Sequence, residues 1–455
     1  MFTLQEKYNQ LITRPKDTAK PAWGGKPAAP GSQESPLTTD LVKLILTEAV
    51  TNRASDIHIE PGKNLIRVRF RIDGKLYIVL DMAENQEIHL LARIKILANI
   101  PTDSVSSRKS WDARFSMVLL GQEYDFRIST FPVLMGEKMA IRILNKNASQ
   151  VDLKKIGLRP QPYALLEQII QRKSGLLIVS GPTGGGKTTT LYSILKHLNS
   201  PTVNIVTLEN PVEYHIDGLN QCDINKKVSE DFTSALRATL RQDPDIILIG
   251  EVRDSESAEI ALRASITGHF VLTSIHANSA IGTVMRLANM GIERHIIAYA
   301  LAGAIYQHLV PRICEKCRTP YVVPREKFLS LCAQFGIPAH LFMESASPAD
   351  KDALHLSHVS KTDEAPKEEA ITFYKGAGCE ICKGSGYLGM IGIFEIVQFT
   401  EDVREAIASN APSAEIEALA VKKGFQSLSI DAMEKVKSGL IHFDDIYHIL
   451  LEKQR

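Results

Sequence analysis

No stretch of this 455-residue chain reaches the roughly 18–20 consecutive apolar residues that cross a bilayer. The nearest, Ile296 to Ile305, is short, contains Gly and Tyr, and reads as a buried core helix. The first residues, MFTLQEKYNQ, lack the apolar centre of a secretory leader. Charge of either sign is not in excess: 53 Lys and Arg stand against 52 Asp and Glu, a formal net charge of +1. Such a chain carries no field that favours nucleic acid or an acidic membrane surface, and it has no basic stripe interleaved with aromatics. These absences give the expectation of a soluble protein, cytosolic unless something tethers it.

Cysteine is also scarce, six in all, yet four of the six form two C-x2-C pairs, Cys314 with Cys317 and Cys379 with Cys382. In a cytosolic chain paired CxxC units hold a metal more readily than disulfides, and four thiolates make a closed tetrahedral Zn²⁺ site with a structural role. Reduced thiols without metal are the plain alternative. The segment joining the pairs is long, but closing a loop costs only about 0.6 kcal/mol per doubling of its length. Cys222 and Cys332 stand alone and read as small apolar filler.

The length calls for two or three domains. Residues 1–36 read as a flexible tether rich in Pro, Ala, Gly and Ser, with a short helix over 2–13 that is either a docking peptide or a frayed end. Residues 37–148 read as an α+β domain. A helix capped by Thr39 or Asp40 leads into SDIHIEP and LIRVRFRIDGKLYIVL, which alternate with period two around a Gly-containing turn. The helix IHLLARIKILANI and the strands YDFRISTFP and EKMAIRIL follow, and a polar stretch near NKNASQVD ends the domain. Residues 149–310 alternate buried strands (GLLIVS, NIVTLE, DIILIG, HFVLTSIH) with helical patterns, which implies an α/β core with a parallel sheet covered on both faces. Residues 311–397 carry the cysteines and a polar insertion at 345–370, and 398–455 read as short helices.

The chemistry is densest at GPTGGGKTTT, which fits GxxxxGK[ST] between a buried strand and a helix-forming run. Gly181, Pro182, Thr183, Gly184, Gly185 and Gly186 form a loop whose N–H groups can surround phosphate oxygens at a helix N-terminus. Lys187 reaches the terminal phosphates, Thr188 offers its hydroxyl to Mg²⁺, and Thr189 completes the loop. ATP and Mg²⁺ are the ligands this pattern implies. Acids that end later strands are candidates for holding Mg²⁺ or its waters and for orienting attacking water: Glu209 with Glu213 nearby, and Glu251 with Asp254. His269 and His276 flank the next strand; a γ-phosphate sensor would stand at His276, although a lone histidine is more often structural. In RVRFRIDG a strand puts Arg67, Arg69 and Arg71 on one face, where they repel unless an anion or an acid lies opposite. A solvated edge strand is the plain alternative there.

Four segments in order, GPTGGGKTTTLY, TLENPVEY, RQDPDIILIGEVRD and TGHFVLTSIHANSA, resemble the Walker A, acidic, Walker B and histidine boxes of the secretion ATPase superfamily of type II secretion and type IV pilus assembly. ASDIHIEP, RVRFRIDG and RISTFPVLMGEKMAIRIL resemble the domain before that motor core, and GYLGMIGIFE and GFQSLSIDAMEKVKSG resemble its C-terminal region. The resemblance implies a RecA-like P-loop core preceded by a PAS-like α+β domain. It implies Glu209 as the residue that activates water, Glu251 as the Walker B acid and His276 as the histidine-box residue. Arg237 and Arg241 match arginines presented to nucleotide across subunits, and Arg69 or Arg71 would be an arginine finger. It further implies a homo-hexamer, cytoplasmic and peripheral at an inner membrane, working on platform proteins to polymerise pilin or pseudopilin. A pilus retraction ATPase, which usually lacks the four cysteines, and a nucleotide-gated scaffold with negligible hydrolysis are the alternatives. Two departures stand out: Asn210 replaces the usual Asp after Glu209, and Ala113 replaces a Gly before Arg114.

Overall fold

The computed structural model describes residues 3–12, 36–83, 87–103, 105–145, 152–224, 232–339 and 371–453. Residues 13–35 of the expected tether over 1–36, the polar end of the first domain at 146–151 and the insertion at 345–370 lie outside the described residues. The chain forms two compact units, Met1–Ser149 and Gln150–Arg455.

In the first unit, α1 (Thr3–Ile12), α2 (Pro36–Thr51) and α3 (Glu87–Leu97) accompany β1 (Ala54–Pro61), β2 (Leu65–Ile72), β3 (Lys75–Ala83), β4 (Trp111–Leu119), β5 (Gln122–Val133) and β6 (Gly136–Asn145). The strands make one antiparallel sheet in the order β3-β2-β1-β6-β5-β4. Period-two alternation sorts its residues: Ile66, Val68, Phe70 and Ile72 of β2 are buried, while Arg67, Arg69 and Arg71 take the opposite face. Burying one such apolar side chain contributes roughly 1.5–3 kcal/mol. The β2–β3 hairpin turns at Asp73 (φ 47°) and Gly74 (φ 84°), the left-handed pair that a two-residue hairpin requires. Helix α2 begins at Pro36, ahead of the expected caps Thr39 and Asp40, because proline suits the first helical turn. Helix α1 is a part of this unit's core: Leu4 and Tyr8 are buried, Gln5 accepts from the Asp81 N–H at 3.1 Å, and Lys7 pairs with Glu48 of α2.

The second unit contains α4 (Pro160–Ile170), β7 (Gly175–Ser180), α5 (Lys187–Leu198), β8 (Ile205–Glu209), β9 (Asn220–Asp223), α6 (Phe232–Thr239), β10 (Ile246–Ile249), α7 (Ser255–Ile266), β11 (Phe270–Ile275), α8 (Gly282–Asn289), α9 (Arg294–Ala300) and β12 (Leu301–Ile313). After these come β13 (Arg318–Val323), α10 (Arg325–Gln334), β14 (Ile371–Gly376), β15 (Tyr387–Gln398), α11 (Glu401–Ala408), α12 (Ser413–Lys422), α13 (Leu428–Lys437) and α14 (Phe443–Lys453). A seven-stranded sheet runs β15-β12-β7-β11-β10-β8-β9, parallel from β12 to β9, with β15 antiparallel at the edge. Strands β7, β8, β10 and β11 are buried along their whole length, as a sheet covered on both faces demands.

The segment Ile296–Ile305 is not one helix. Helix α9 stops at Ala300, and Leu301 opens the long strand β12, which pairs with β7 on one side and β15 on the other. Gly303 permits this closeness, since a Cβ there would stand 2.7 Å from Ile169 and 3.0 Å from the Val397 carbonyl. Pairing on both edges outweighs the helical pattern. Of the two isolated cysteines, Cys332 is buried, whereas Cys222 is exposed on β9 and is not filler.

Candidate functional site

Strand β7 ends at Ser180, and the chain turns through Gly181 (φ 146°), Gly184 (φ 76°) and Gly186 (φ 84°) before α5 starts at Lys187. At Gly181 a side chain is impossible, because its Cβ would lie 2.3 Å from the Gln307 carbonyl. Thr183, Gly184, Thr188 and Thr189 are exposed around the mouth, while Pro182 and Gly186 are half-buried and Gly185 is buried. Lys187 Nζ donates to the carbonyls of Gly181 at 2.9 Å and Pro182 at 3.0 Å. Burial lowers the pKa of Lys187, and the nearby charge of Glu251 works the other way. The loop, the N-terminus of α5 and the lysine suit a polyphosphate.

The sheet is parallel here, so the ends of β8, β10 and β11 share one edge with the end of β7. Glu251 stands two residues past the end of β10. Its Oε1 is 3.4 Å from His276 Nε2 at the end of β11, and its Oε2 accepts from Arg253 at 2.8 and 2.9 Å. Glu209 closes β8 and is only 4% exposed. It accepts hydrogen bonds from Tyr192 Oη and, at 2.7 Å, from Thr207 Oγ1. Burial raises its pKa, and these donors oppose the rise. Gly250 packs on it, with a hypothetical Cβ 3.5 Å from Glu209 Cα. The structure therefore brings Glu209, Glu251 and His276 to adjacent strand ends. Asp254 and His269 do something else: Asp254 caps α7 by accepting from Ser257 N–H at 2.8 Å, and His269 Nδ1 lies 2.9 Å from the Ala264 carbonyl.

The arginines are placed differently. Arg237 pairs with Glu256 at 3.1 Å and Arg241 donates to the Arg237 carbonyl at 3.2 Å; both are exposed. Among the described residues, no hydrogen bond or ion pair joins either one to the Gly-rich loop. In the first unit the repulsion expected along β2 is relieved by acids. Arg67 forms two bonds of 2.9 Å to Asp81, and Arg69 meets Glu60 at 2.7 Å. Arg71 lies 3.8 Å from Asp56 and donates to the Gly74 carbonyl at 2.9 Å. Lys138 and Arg142 of β6 also reach Glu60 and Asp56, at 2.8 and 3.0 Å. Cross-strand register sets Arg114, Arg127, Arg142, Asp56 and Arg71 in one row across the sheet.

The sulfurs of Cys314, Cys317, Cys379 and Cys382 all lie within 4.8 Å of one another, with closest separations of 3.7–3.9 Å. Four ligands at about 2.3 Å around a tetrahedral ion are about 3.8 Å apart, so the cluster fits Zn²⁺. Burial opposes ionisation at Cys382, but N–H groups of Cys379 at 3.1 Å and Gly386 at 3.3 Å point at its sulfur, leaving the pKa lowered to about 6.

Two neighbours of these residues escaped the sequence reading. Tyr192 sits inside the phosphate-loop motif, yet nothing in the motif says that it meets Glu209. Gln307 interrupts an apolar strand, a signal that could have been followed to its partners.

The chain matches the family described as "Type II/IV secretion system protein" over residues 32–448. It is 38% identical over 407 residues to the type IV pilus assembly ATPase PilB of Myxococcus xanthus, covering 89% of this chain and 66% of that one. It is 37% identical over 413 residues to the type II secretion system protein E of Pseudomonas aeruginosa, covering 91% and 75%. With the type II secretion system ATPase E of Vibrio cholerae the identity is 35% over 412 residues, covering 90% and 75%. The chain thus spans 66–75% of the length of these relatives. Among solved structures, the fold is similar to the ATPase DotB of Legionella pneumophila (TM-score 0.64, 20% identity, 94% of this chain and 98% of that one). It is also similar to the pilus retraction motor PilT with bound ADP (TM-score 0.58, 24% identity, 90% and 96%).

Proposed function

This chain belongs to the family of type II/IV secretion system proteins, and from that premise we propose that it hydrolyses ATP to ADP and phosphate to drive assembly of pilin or pseudopilin filaments. The supporting observation is the convergence of Lys187, Glu251, His276 and Glu209 on one edge of one parallel sheet. Lys187 leaves its two carbonyl partners for the β- and γ-phosphates. Thr188 and Glu251 would hold Mg²⁺, which when bound neutralises phosphate charge. Glu209 takes the proton of the attacking water, and His276 follows the terminal phosphate. Arg237, Arg241 and Arg69 or Arg71 complete the site of a neighbouring copy in a homo-hexamer. Residues 149–310 serve as the motor core, 311–397 as a subdomain held by Zn²⁺, and 398–455 as its helical cover. The protein acts at the cytoplasmic face of an inner membrane through platform proteins, without nucleic acid.

Lys187→Ala should abolish hydrolysis with the fold intact, as judged by phosphate release and circular dichroism. Turnover near that of the parent chain would remove the assignment of the loop. One observation favours a second reading, a scaffold that binds ATP and barely hydrolyses it: both oxygens of Glu209 are already engaged, by Tyr192 and Thr207. A steady-state turnover measurement separates the two.

A further inference from the structure

Gln307 lies on β12 and is 1% exposed. Its backbone neighbour toward β7 is the point at which the loop leaves the sheet, because Tyr306 pairs with Ser180, the last residue of that strand. The side chain enters the space the loop encloses and makes two contacts there. Nε2 donates to the Gly185 carbonyl at 2.6 Å, and Oε1 accepts from Thr190 Oγ1 at 2.7 Å. The amide orientation follows from chemistry: a carbonyl can only accept, so nitrogen must face Gly185, and oxygen then faces the Thr190 hydroxyl. One buried amide therefore joins the middle of the Gly-rich loop to the first turn of α5.

The two groups of a trans peptide point in opposite directions. Holding the Gly185 carbonyl against Gln307 turns the Gly186 N–H the other way, and among the described residues that N–H donates to no backbone carbonyl. Gly186 itself is hemmed in, since a Cβ would lie 3.1 Å from Gln307 Nε2. We propose that Gln307 is a positioning residue of the nucleotide site, which presets the Gly185–Gly186 peptide so that its N–H faces phosphate. The inference rests on reading residues 181–189 as the triphosphate loop. It assigns Gln307 to the phosphates alone, with no contribution to the base or sugar.

The test uses the full chain and measures affinity for ADP and for adenosine, together with the KM and kcat for ATP. Gln307→Leu should weaken ADP about tenfold, the loss expected of a buried hydrogen-bonding group left without its partner. Adenosine affinity should stay at the parent value, and KM should rise more than kcat falls. Thr190→Val should show a smaller loss of the same kind, and Thr190→Ser, which keeps the hydroxyl, should recover most of it. Parental ADP affinity in Gln307→Leu, or equal losses for ADP and adenosine, would overturn the proposal. If Gln307→Leu does not fold, the pair Thr190→Val and Thr190→Ser decides, and equal ADP affinity in those two would overturn it. Lys187→Ala guards the premise: if it too leaves ADP affinity unchanged, the reading of the loop has failed. If Lys187→Ala loses ADP and Gln307→Leu does not, only the role of Gln307 has failed.

Discussion

Glu60 and Glu209 are both half or more shielded from water, yet their protons are held in opposite senses. Burial pushes the Glu60 carboxyl up, but Arg69 and Lys138 overcome it and bring the pKa down from 4.5 to about 2. A carboxylate whose folded value is depressed adds stability that is present above about 4.5 and is lost as pH falls through about 2. Hydrogen exchange at β1 and β2 amides should therefore accelerate over that interval, and Glu60→Gln should flatten the dependence. An unchanged profile in the variant would mean that the pairing of Glu60 contributes nothing. Glu209 is raised by burial, and the hydroxyl of Tyr192 restrains the rise by donating to its ionised form. Tyr192→Phe removes that donor, so the carboxyl rises further. Because the proposed reaction needs Glu209 ionised to take a proton, the acid limb of the kcat profile should move to higher pH in the variant. A limb that stays in place, or moves lower, would separate Tyr192 from the reaction. Of the two acids only Glu209 was legible, as the residue that ends the buried run NIVTLE. Its partner was not: the hydroxyl of Tyr192 arrives from 17 positions away, on the helix after the Gly-rich loop, and a contact between two elements leaves no local pattern.

Strands show the same division between local and distant causes. The buried runs GLLIVS, NIVTLE, DIILIG and HFVLTSIH were readable because a strand covered on both faces is apolar throughout. Strand β4 was passed over: WDARFSMVL mixes charge with apolar residues, and its place is set by nine cross-strand partners on β5. In β12 a helix-like sequence yields to pairing on both edges. The cysteines were legible from spacing alone, since C-x2-C turns bring two sulfurs together wherever they occur. Purified protein should carry about one Zn²⁺ per chain, read by elemental analysis, as a site of four thiolates implies. Cys379→Ser should release it and speed hydrogen exchange across residues 311–339 and 371–395. ADP affinity should change little, because β12 keeps its register through β7 and β15, neither of which needs the metal. Loss of nucleotide binding in that variant would tie the loop to the metal.

At the scale of the whole molecule, the proposed hexamer predicts shared active sites. Specific activity should rise with protein concentration, and Arg241→Ala should lose rate far more than nucleotide affinity, because the arginine acts on charge that develops in the transition state. Mixing Arg241→Ala with Lys187→Ala should recover activity, since some interfaces then join an intact loop to an intact arginine. A concentration-independent rate for a verified monomer, with no recovery on mixing, would place the whole site in one chain. Within the second unit, beginning and end are fastened together. Asp431 of α13, 1% exposed, accepts from Arg159 Nε at 2.6 Å, from Lys435 Nζ at 2.7 Å and from the Phe394 N–H of β15 at 2.9 Å. Glu395, one residue further along β15, accepts from the N–H of Ala280, four positions past His276, and from the N–H of Leu428, where α13 begins. Arg159 stands at the head of α4, the first long helix after the junction between the units. Two carboxylates thus knot together four places far apart in the chain: α4, β15, α13 and the loop after His276.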